Sequence, residues 1–101
     1  MTHQIVTFSE ENGTLVCAFK GKLDSVVSDL VEENVFDKIQ QAHLPVTFDL
    51  KDAEYVSSAF LRLSIKAARA AKNMTINIIN AKPDIKEVYV MTGLAKIFNF
   101  T

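Results

Sequence analysis

The sequence predicts a single α/β domain, with a mixed, mostly parallel sheet of four to five strands and about three to four helices packed on it. The chain has 101 residues, of which 49% are apolar and 23% charged; these proportions suit one hydrophobic core but not two. Along the chain, the spacing of apolar residues changes repeatedly between the two-residue repeat of strands and the repeat of about 3.6 residues of helices. Strands that alternate with helices are typical of parallel pairs joined by right-handed crossovers.

A hairpin is predicted to open the fold, with strands at residues 4–8 and 14–19. Between them, Asn12 and Gly13 tolerate the positive φ of a tight turn. The second strand is apolar on both of its faces, which is typical of an interior strand.

The first helix is predicted at residues 25–40. Asp24 and Ser25 stand at its start, where a side-chain oxygen can accept a hydrogen bond from an unpaired backbone N–H. One stripe of the helix is apolar and is expected to be buried. It consists of Val27, Leu30, Val31, Val35 and Ile39.

The rest of the chain continues the alternation. Pro45 opens a third strand, and a second helix at residues 58–72 is rich in strong helix formers. The last elements are a strand at 74–79, a helix that begins at Pro83 and ends at Gly93, and an apolar tail at 94–100 that we expect to dock.

Composition restricts the classes of partner. The net charge of −1 argues against nucleic acid or an anionic membrane, because both call for a basic surface. Cys17 is the single cysteine, so an internal disulfide is excluded and a reducing compartment is favoured. The sequence has no apolar run of ~20 residues and no secretory signal pattern at its start. We therefore expect a cytoplasmic protein in which residues 1–101 form one domain, without direct membrane contact.

The segment with the clearest functional signal is residues 55–62, YVSSAFLR, between the third strand and the second helix. Sites in open α/β sheets are usually built at the carboxyl ends of the strands. Ser57 and Ser58 can act simply as helix caps. Alternatively, one hydroxyl is a phosphorylation acceptor, because phosphate is compatible with the free N–H groups and positive dipole of a helix start.

Four segments, in order, resemble the STAS domain family as found in bacterial anti-sigma factor antagonists. GKLD at 21–24 is similar to the family's Gly-x-Leu-Asp, and FDL at 48–50 to its Asp-Leu strand end. The segment at 55–62 is similar to the variant Ser-Ser-Ala-Gly-Leu-Arg. EVYVMTGLAKIF at 87–98 resembles the family's closing helix and its Thr-Gly-Leu-x-x-Ile-Phe.

The resemblance implies a binding switch without catalysis and without a cofactor. An unmodified antagonist of this family binds an anti-sigma factor that is also a serine kinase; phosphorylation breaks the complex, and a PP2C-type phosphatase resets it. By position, Ser58 matches the acceptor, with Ser57 as the secondary candidate. Asp24 matches the acidic residue near the acceptor. Phe60, Leu61 and Arg62 are expected to complete the docking surface with Asp24 and Ser57.

Three positions depart from the family pattern. Ser57 stands where the family has Asp, and Ala59 stands where it has Ser or Thr. Phe60 replaces the glycine that lets a partner backbone approach closely. The ring of Phe60 is either buried or exposed at the docking face, and the sequence leaves both alternatives open.

A basic stripe follows on the second helix. On this helix Leu61, Ile65 and Ala68 lie along an apolar stripe. The opposite face carries, at helical spacing, Arg62, Lys66 and Arg69. They form either an ordinary solvated face or a surface that meets an acidic patch on the partner, where charges mainly set specificity and association rate.

Other classes of function have weaker support. His3 and His43 have no carboxylate or cysteine spaced for a metal site, and His43 is expected at the edge of the sheet opposite Ser58, too far to act as its base. Two alternatives to the switch stay open. One is a constitutive, non-phosphorylated STAS subunit of a signalling scaffold or lipid-transport complex. The other is a small-molecule sensor or enzyme with a pocket beside the second helix.

Overall fold

The computed structural model describes residues 5–71 and 75–101. The predicted alternation of strands and helices is confirmed, and the predicted boundaries at Gln4, Lys72 and Met74 lie outside the described residues. Within these ranges, no helix combines the length and the apolar character needed to cross a bilayer. The elements are β1 (Val6–Glu11), β2 (Thr14–Leu23), α1 (Ser25–Ala42), β3 (Val46–Val56), α2 (Ser58–Ala70), β4 (Ile76–Ile79), α3 (Pro83–Met91), a 3-10 turn (Leu94–Lys96) and β5 (Phe98–Phe100).

The five strands form one sheet in the order β1-β2-β3-β4-β5. β1 pairs with β2 in antiparallel fashion, and the remaining neighbours are parallel. Each parallel connection steps in the same direction across the sheet, so right-handed crossovers put all three helices on one face. The starts of α1, α2 and α3 therefore lie along the edge at which the parallel strands end.

The two faces of the sheet differ in character. Cys17, Phe48 and Ile78 are in register across β2, β3 and β4 and are fully buried under the helices. Burial raises the pKa of the Cys17 thiol to about 12, so this thiol stays protonated at neutral pH. The neighbouring row on the opposite face is more polar and consists of Val16, Thr47, Asn77 and Asn99.

Three phenylalanines form the centre of the core. The ring of Phe19 in β2 meets those of Phe48 in β3 and Phe60 in α2 edge to face, with ring centroids 4.9 Å apart in both pairs. All three side chains are buried. Such aromatic contacts add to the gain from burial, so Phe60 links the start of α2 to the two central strands.

The apolar tail docks on the domain as predicted. Phe98 and Phe100 of β5 pack edge to face on Tyr89 of α3, at centroid distances of 5.5 and 5.4 Å. The Tyr89 hydroxyl is buried and hydrogen-bonded to Ser64 Oγ in α2 at 2.8 Å. Burial raises the pKa of Tyr89 above its usual range, although the Ser64 hydrogen bond lowers it in part.

The burial predicted for one residue of the α1 stripe, Leu30, is wrong. Leu30 is 67% exposed, whereas Val31, Val35 and Ile39 are buried as expected. The buried line is completed instead by Ser28, whose hydroxyl reaches the Leu23 carbonyl at 3.4 Å. At about 100° per residue, a helix that turns Ser28 and Val35 toward the sheet must turn Leu30 toward solvent.

β3 extends beyond its partner β4, which pairs with it only at residues 47–49. The ammonium group of Lys82 covers part of the uncovered edge. Its Nζ donates to the carbonyls of Lys51 at 3.1 Å and Ala53 at 2.8 Å. These carbonyls are thus hydrogen-bonded although β4 does not reach this part of β3.

The burial of Phe60 generates a stability prediction. Substitution of Phe60 by glycine, the residue that stands here in the pattern this segment resembles, should lower the free energy of unfolding by about 3 kcal/mol or more, because it leaves a cavity and puts glycine in a helix. Urea titration followed by circular dichroism measures this loss. Met91→Ala is the control, since Met91 is 76% exposed and should unfold at nearly the wild-type midpoint. A wild-type midpoint for Phe60→Gly would contradict the buried ring.

Candidate docking site at the start of α2

The start of α2 is attached to the end of β2 through one backbone carbonyl. Ser57 Oγ donates to the Leu23 carbonyl at 2.8 Å and accepts from the Phe60 amide at 3.2 Å. The Ser57 amide donates to the same carbonyl at 3.0 Å. Ser57 is therefore the N-cap of α2, with its hydroxyl engaged both as donor and as acceptor.

Asp24 has the corresponding role for α1. It precedes the helix in extended conformation, and its Oδ1 accepts from the Val27 amide at 2.9 Å. Asp24 directly follows Leu23, the residue whose carbonyl binds Ser57. The two helix starts are thus neighbours at one edge of the sheet, where the resemblance places the acidic residue and the acceptor.

Ser58 is the first residue of α2 and differs from Ser57 in its environment. Its side chain is exposed, and within residues 5–71 and 75–101 its hydroxyl takes part in no hydrogen bond of the structure. It stands at the end of the helix where unpaired N–H groups and the dipole favour negative charge. The hydroxyl is accessible to an enzyme, and phosphate on it would not oppose the local field.

Two residues assigned to the docking surface from sequence are not on it. Phe60 is fully buried and Leu61 is 7% exposed, because both turn toward the core in the first turn of α2. Of the two alternatives for the Phe60 ring, the structure has the buried one. The ring therefore does not obstruct a partner at the start of α2. Arg62, the third residue of that set on the helix, is exposed.

The basic stripe of α2 is at the surface. Arg62, Lys66 and Arg69 are all exposed. Lys66 Nζ forms a salt bridge with Glu32 of α1 at 3.0 Å, which joins the two helices side by side. The two arginines lie on the outward face of α2, in the same helix as Ser58.

The sequence did not predict the buried hydrogen bonds that Ser64 makes within α2 and to α3. Ser64 Oγ donates to the Phe60 carbonyl at 2.9 Å and contacts the Tyr89 hydroxyl. Together with the cap at Ser57, these bonds hold both the amide and the carbonyl of Phe60. A serine four residues after Phe60 is the only signal in the sequence, and it does not identify Tyr89 as the partner.

The site offers little for nucleophilic catalysis. His43 ends α1 and precedes β3, whereas Ser58 follows the end of that strand. At about 3.3 Å per residue, the 11 residues of β3 separate the two by far more than a hydrogen bond. Among the described residues, no three His, Cys, Asp or Glu side chains cluster as a metal site requires. His3 lies outside the described residues.

Two surface depressions lie away from this site. One, of about 300 Å³, is bordered by β1 and the end of α1, and the other, of about 420 Å³, opens on the polar face of the sheet. Neither is lined by a residue of α2, so neither is the pocket beside the second helix that a small-molecule sensor would use.

The fold is a single sheet with its helices on one face and a serine N-cap at the start of α2, and comparison with known proteins identifies the family. The model of the STAS domain matches residues 6–101. The chain belongs to the STAS domain family.

Relatives and solved structures agree with this assignment. BtrV of Bordetella bronchiseptica, named as an anti-sigma factor antagonist, is 24% identical over 95 residues, covering 92% of this chain and 82% of BtrV. The structure of an anti-sigma factor antagonist (STAS) domain protein from Planctomyces limnophilus has a TM-score of 0.87 at 18% identity, over 94% of this chain and 87% of that one. The structure of SpoIIAA from Bacillus in its phosphorylated form has a TM-score of 0.72 at 15% identity, over 95% of this chain and 90% of that one.

The different environments of the two serines generate the second prediction. Ser57→Ala should lower the free energy of unfolding by about 1–2 kcal/mol, because it removes the N-cap of α2. Ser58→Ala, the matched control one residue away, should change it by less than about 0.5 kcal/mol, as an exposed substitution. Urea titration of both variants measures the difference. Equal losses in the two variants would show that the cap at Ser57 has been misassigned.

Proposed function

We propose that this chain is an anti-sigma factor antagonist that works as a phosphorylation switch. Unphosphorylated, it binds an anti-sigma factor that is also a serine kinase; phosphorylated at Ser58, it is released, and a PP2C-type phosphatase restores the binding form. The observation that carries the proposal is the contrast between two hydroxyls: that of Ser58 is exposed and makes no hydrogen bond to any described residue, whereas that of Ser57 holds the cap.

The direction in which the ring of Phe60 points supports the same proposal. A kinase needs the acceptor hydroxyl at the surface and room for its own backbone. The ring of Phe60 points away from that surface into the contact with Phe19, so a glycine is not required at this position to keep the start of α2 accessible. Phosphate can be added to Ser58 without breaking a hydrogen bond within residues 5–71 and 75–101.

Charge supplies the mechanism of release. Phosphorylation adds nearly two negative charges at neutral pH, one helical turn before Arg62. The phosphate would repel a partner that presents acidic groups to the basic stripe. It would also neutralise part of the charge of Arg62 and so weaken the attraction of that arginine for the partner. Asp24, which caps the neighbouring helix, adds a further negative charge to that edge. Rearrangement of the domain is unnecessary, because the docking surface itself changes.

In this proposal the protein regulates by binding and has no catalytic activity or cofactor of its own. His43 is too far from Ser58 to act as its general base, and the buried thiol of Cys17 stays protonated. Neither Ser58 nor Cys17 therefore matches an activated nucleophile. The partners are the kinase, which binds ATP, and the phosphatase, both of which place the switch in the cytoplasm. That a relative of this fold, SpoIIAA, has been solved in a phosphorylated form supports the acceptor chemistry.

The third prediction concerns phosphate transfer. Each serine kinase of the anti-sigma factor class encoded in the source genome, when purified and supplied with ATP and Mg²⁺, is tested against this chain. One of them should add a single phosphate, mapped by peptide mass spectrometry to Ser58. Ser57→Ala is the matched control and should still accept it, whereas Ser58→Ala should not. Transfer to Ser57 alone, or to neither serine, would overturn the assignment.

The fourth prediction concerns binding. Ser58→Asp should weaken the complex with that kinase at least tenfold in Kd, because it puts a charge where the partner docks. Ser58→Asn, of nearly the same size but neutral, should bind within about threefold of wild type. Isothermal titration calorimetry measures both. If instead the chain purifies from its own cells at fixed stoichiometry with other proteins and Ser58→Asp has no effect, a constitutive subunit of a signalling scaffold or lipid-transport complex is the function.

A further inference from the structure

Two large apolar side chains stand on the outer face of α1. Val26 and Leu30 are each 67% exposed, and they lie four residues apart, one helical turn, so they adjoin each other. Single exposed apolar residues are ordinary on a protein surface, whereas adjacent ones combine into an apolar patch, the kind of surface that partners bind. Here the pair occupies the first two turns of a helix that starts beside Ser58.

The position of the pair follows from the hydrogen bonds at the edge of the sheet. Val26 is the second residue of α1, and Ser58 is the first residue of α2. Both helix starts are fixed next to the Leu23 carbonyl, and the salt bridge between Glu32 and Lys66 keeps the helices side by side. The apolar pair and the acceptor serine therefore belong to one continuous surface.

The charges on this surface are segregated by helix. Asp29 and Glu33 flank Leu30 on α1 and are exposed, whereas α2 presents Arg62 and Arg69. A partner that fits the whole surface has an apolar pocket, basic side chains opposite α1 and acidic side chains opposite α2. Charges so arranged fix the orientation of docking. Phosphate on Ser58 would then face the acidic part of the partner.

We infer that Val26 and Leu30 are the apolar anchor by which this chain docks on its anti-sigma factor kinase, an inference that rests on the function proposed above. The two apolar residues first expected in that role, Phe60 and Leu61, are buried. Val26 and Leu30 are the exposed apolar residues of the helix that adjoins Ser58. The kinase should therefore contact α1 as well as the start of α2.

The test measures the Kd for the purified kinase that transfers phosphate to Ser58. Leu30→Ala should weaken binding at least tenfold, mainly through faster dissociation, and Val26→Ala should weaken it several-fold. Leu30→Met, which keeps the volume, should bind within about threefold of wild type. Met91→Ala is the matched control: Met91 is 76% exposed, at the end of α3 near the edge opposite Ser58, and its loss should not change the Kd.

The outcomes separate the inference from the proposed function. Wild-type affinity in Leu30→Ala, while Ser58→Asp abolishes binding, would overturn the anchor and leave the switch intact. Weaker binding in Met91→Ala instead of Leu30→Ala would move the docking surface to the end of α3 and also overturn the anchor. If none of the kinases binds the wild-type chain, the proposed function fails and the anchor fails with it. Because Leu30 is exposed, the thermal midpoint of Leu30→Ala should match that of wild type, which confirms that a change in Kd reports docking.

Discussion

The geometry of the candidate site depends on one backbone acceptor, the carbonyl of Leu23 at the end of β2. It receives the hydroxyl and the amide of Ser57 and, more distantly, the hydroxyl of Ser28. A carbonyl has two lone pairs, and here they bind groups at the starts of two helices. These hydrogen bonds tie the starts of α1 and α2 to the same point at the end of β2. The hydroxyl of Ser57 is thereby engaged in the cap of α2, whereas Ser58 one residue later is exposed.

The exchange of a family glycine for Phe60 shows how a conspicuous change in a motif can leave a surface unaltered. The backbone at the start of α2 directs this side chain toward β2 and β3, where Phe19 and Phe48 enclose it. A position that contributes nothing to the core in the glycine form of the motif here contributes one of its largest side chains. At this position the departure from the family pattern changes the packing of the core, because the ring is fully buried.

How far the sequence predicted the structure differs between kinds of feature. Patterns that depend on period and turn chemistry were predictive: the Asn12-Gly13 turn, the apolar faces of β2 and the docked tail are all confirmed. The direction of a single side chain was not predictable, because it depends on the rotation of a helix about its axis. Leu30 was expected to be buried and is exposed, whereas Leu61, which the sequence placed both in the apolar stripe of α2 and on the docking surface, is buried. Ser64 and Tyr89, 25 residues apart, could be paired only by the tertiary fold.

The lysine at the uncovered edge of β3 has a consequence for the protein as a solute. A strand with open carbonyl and amide groups is a template on which another molecule can add a strand, and repeated addition leads to aggregates. The ammonium group of Lys82 occupies the acceptors of Lys51 and Ala53, and its charge repels a second copy that presents the same edge. The edge of β3 that β4 leaves uncovered is in this way a poorer template for pairing with the same edge of another copy.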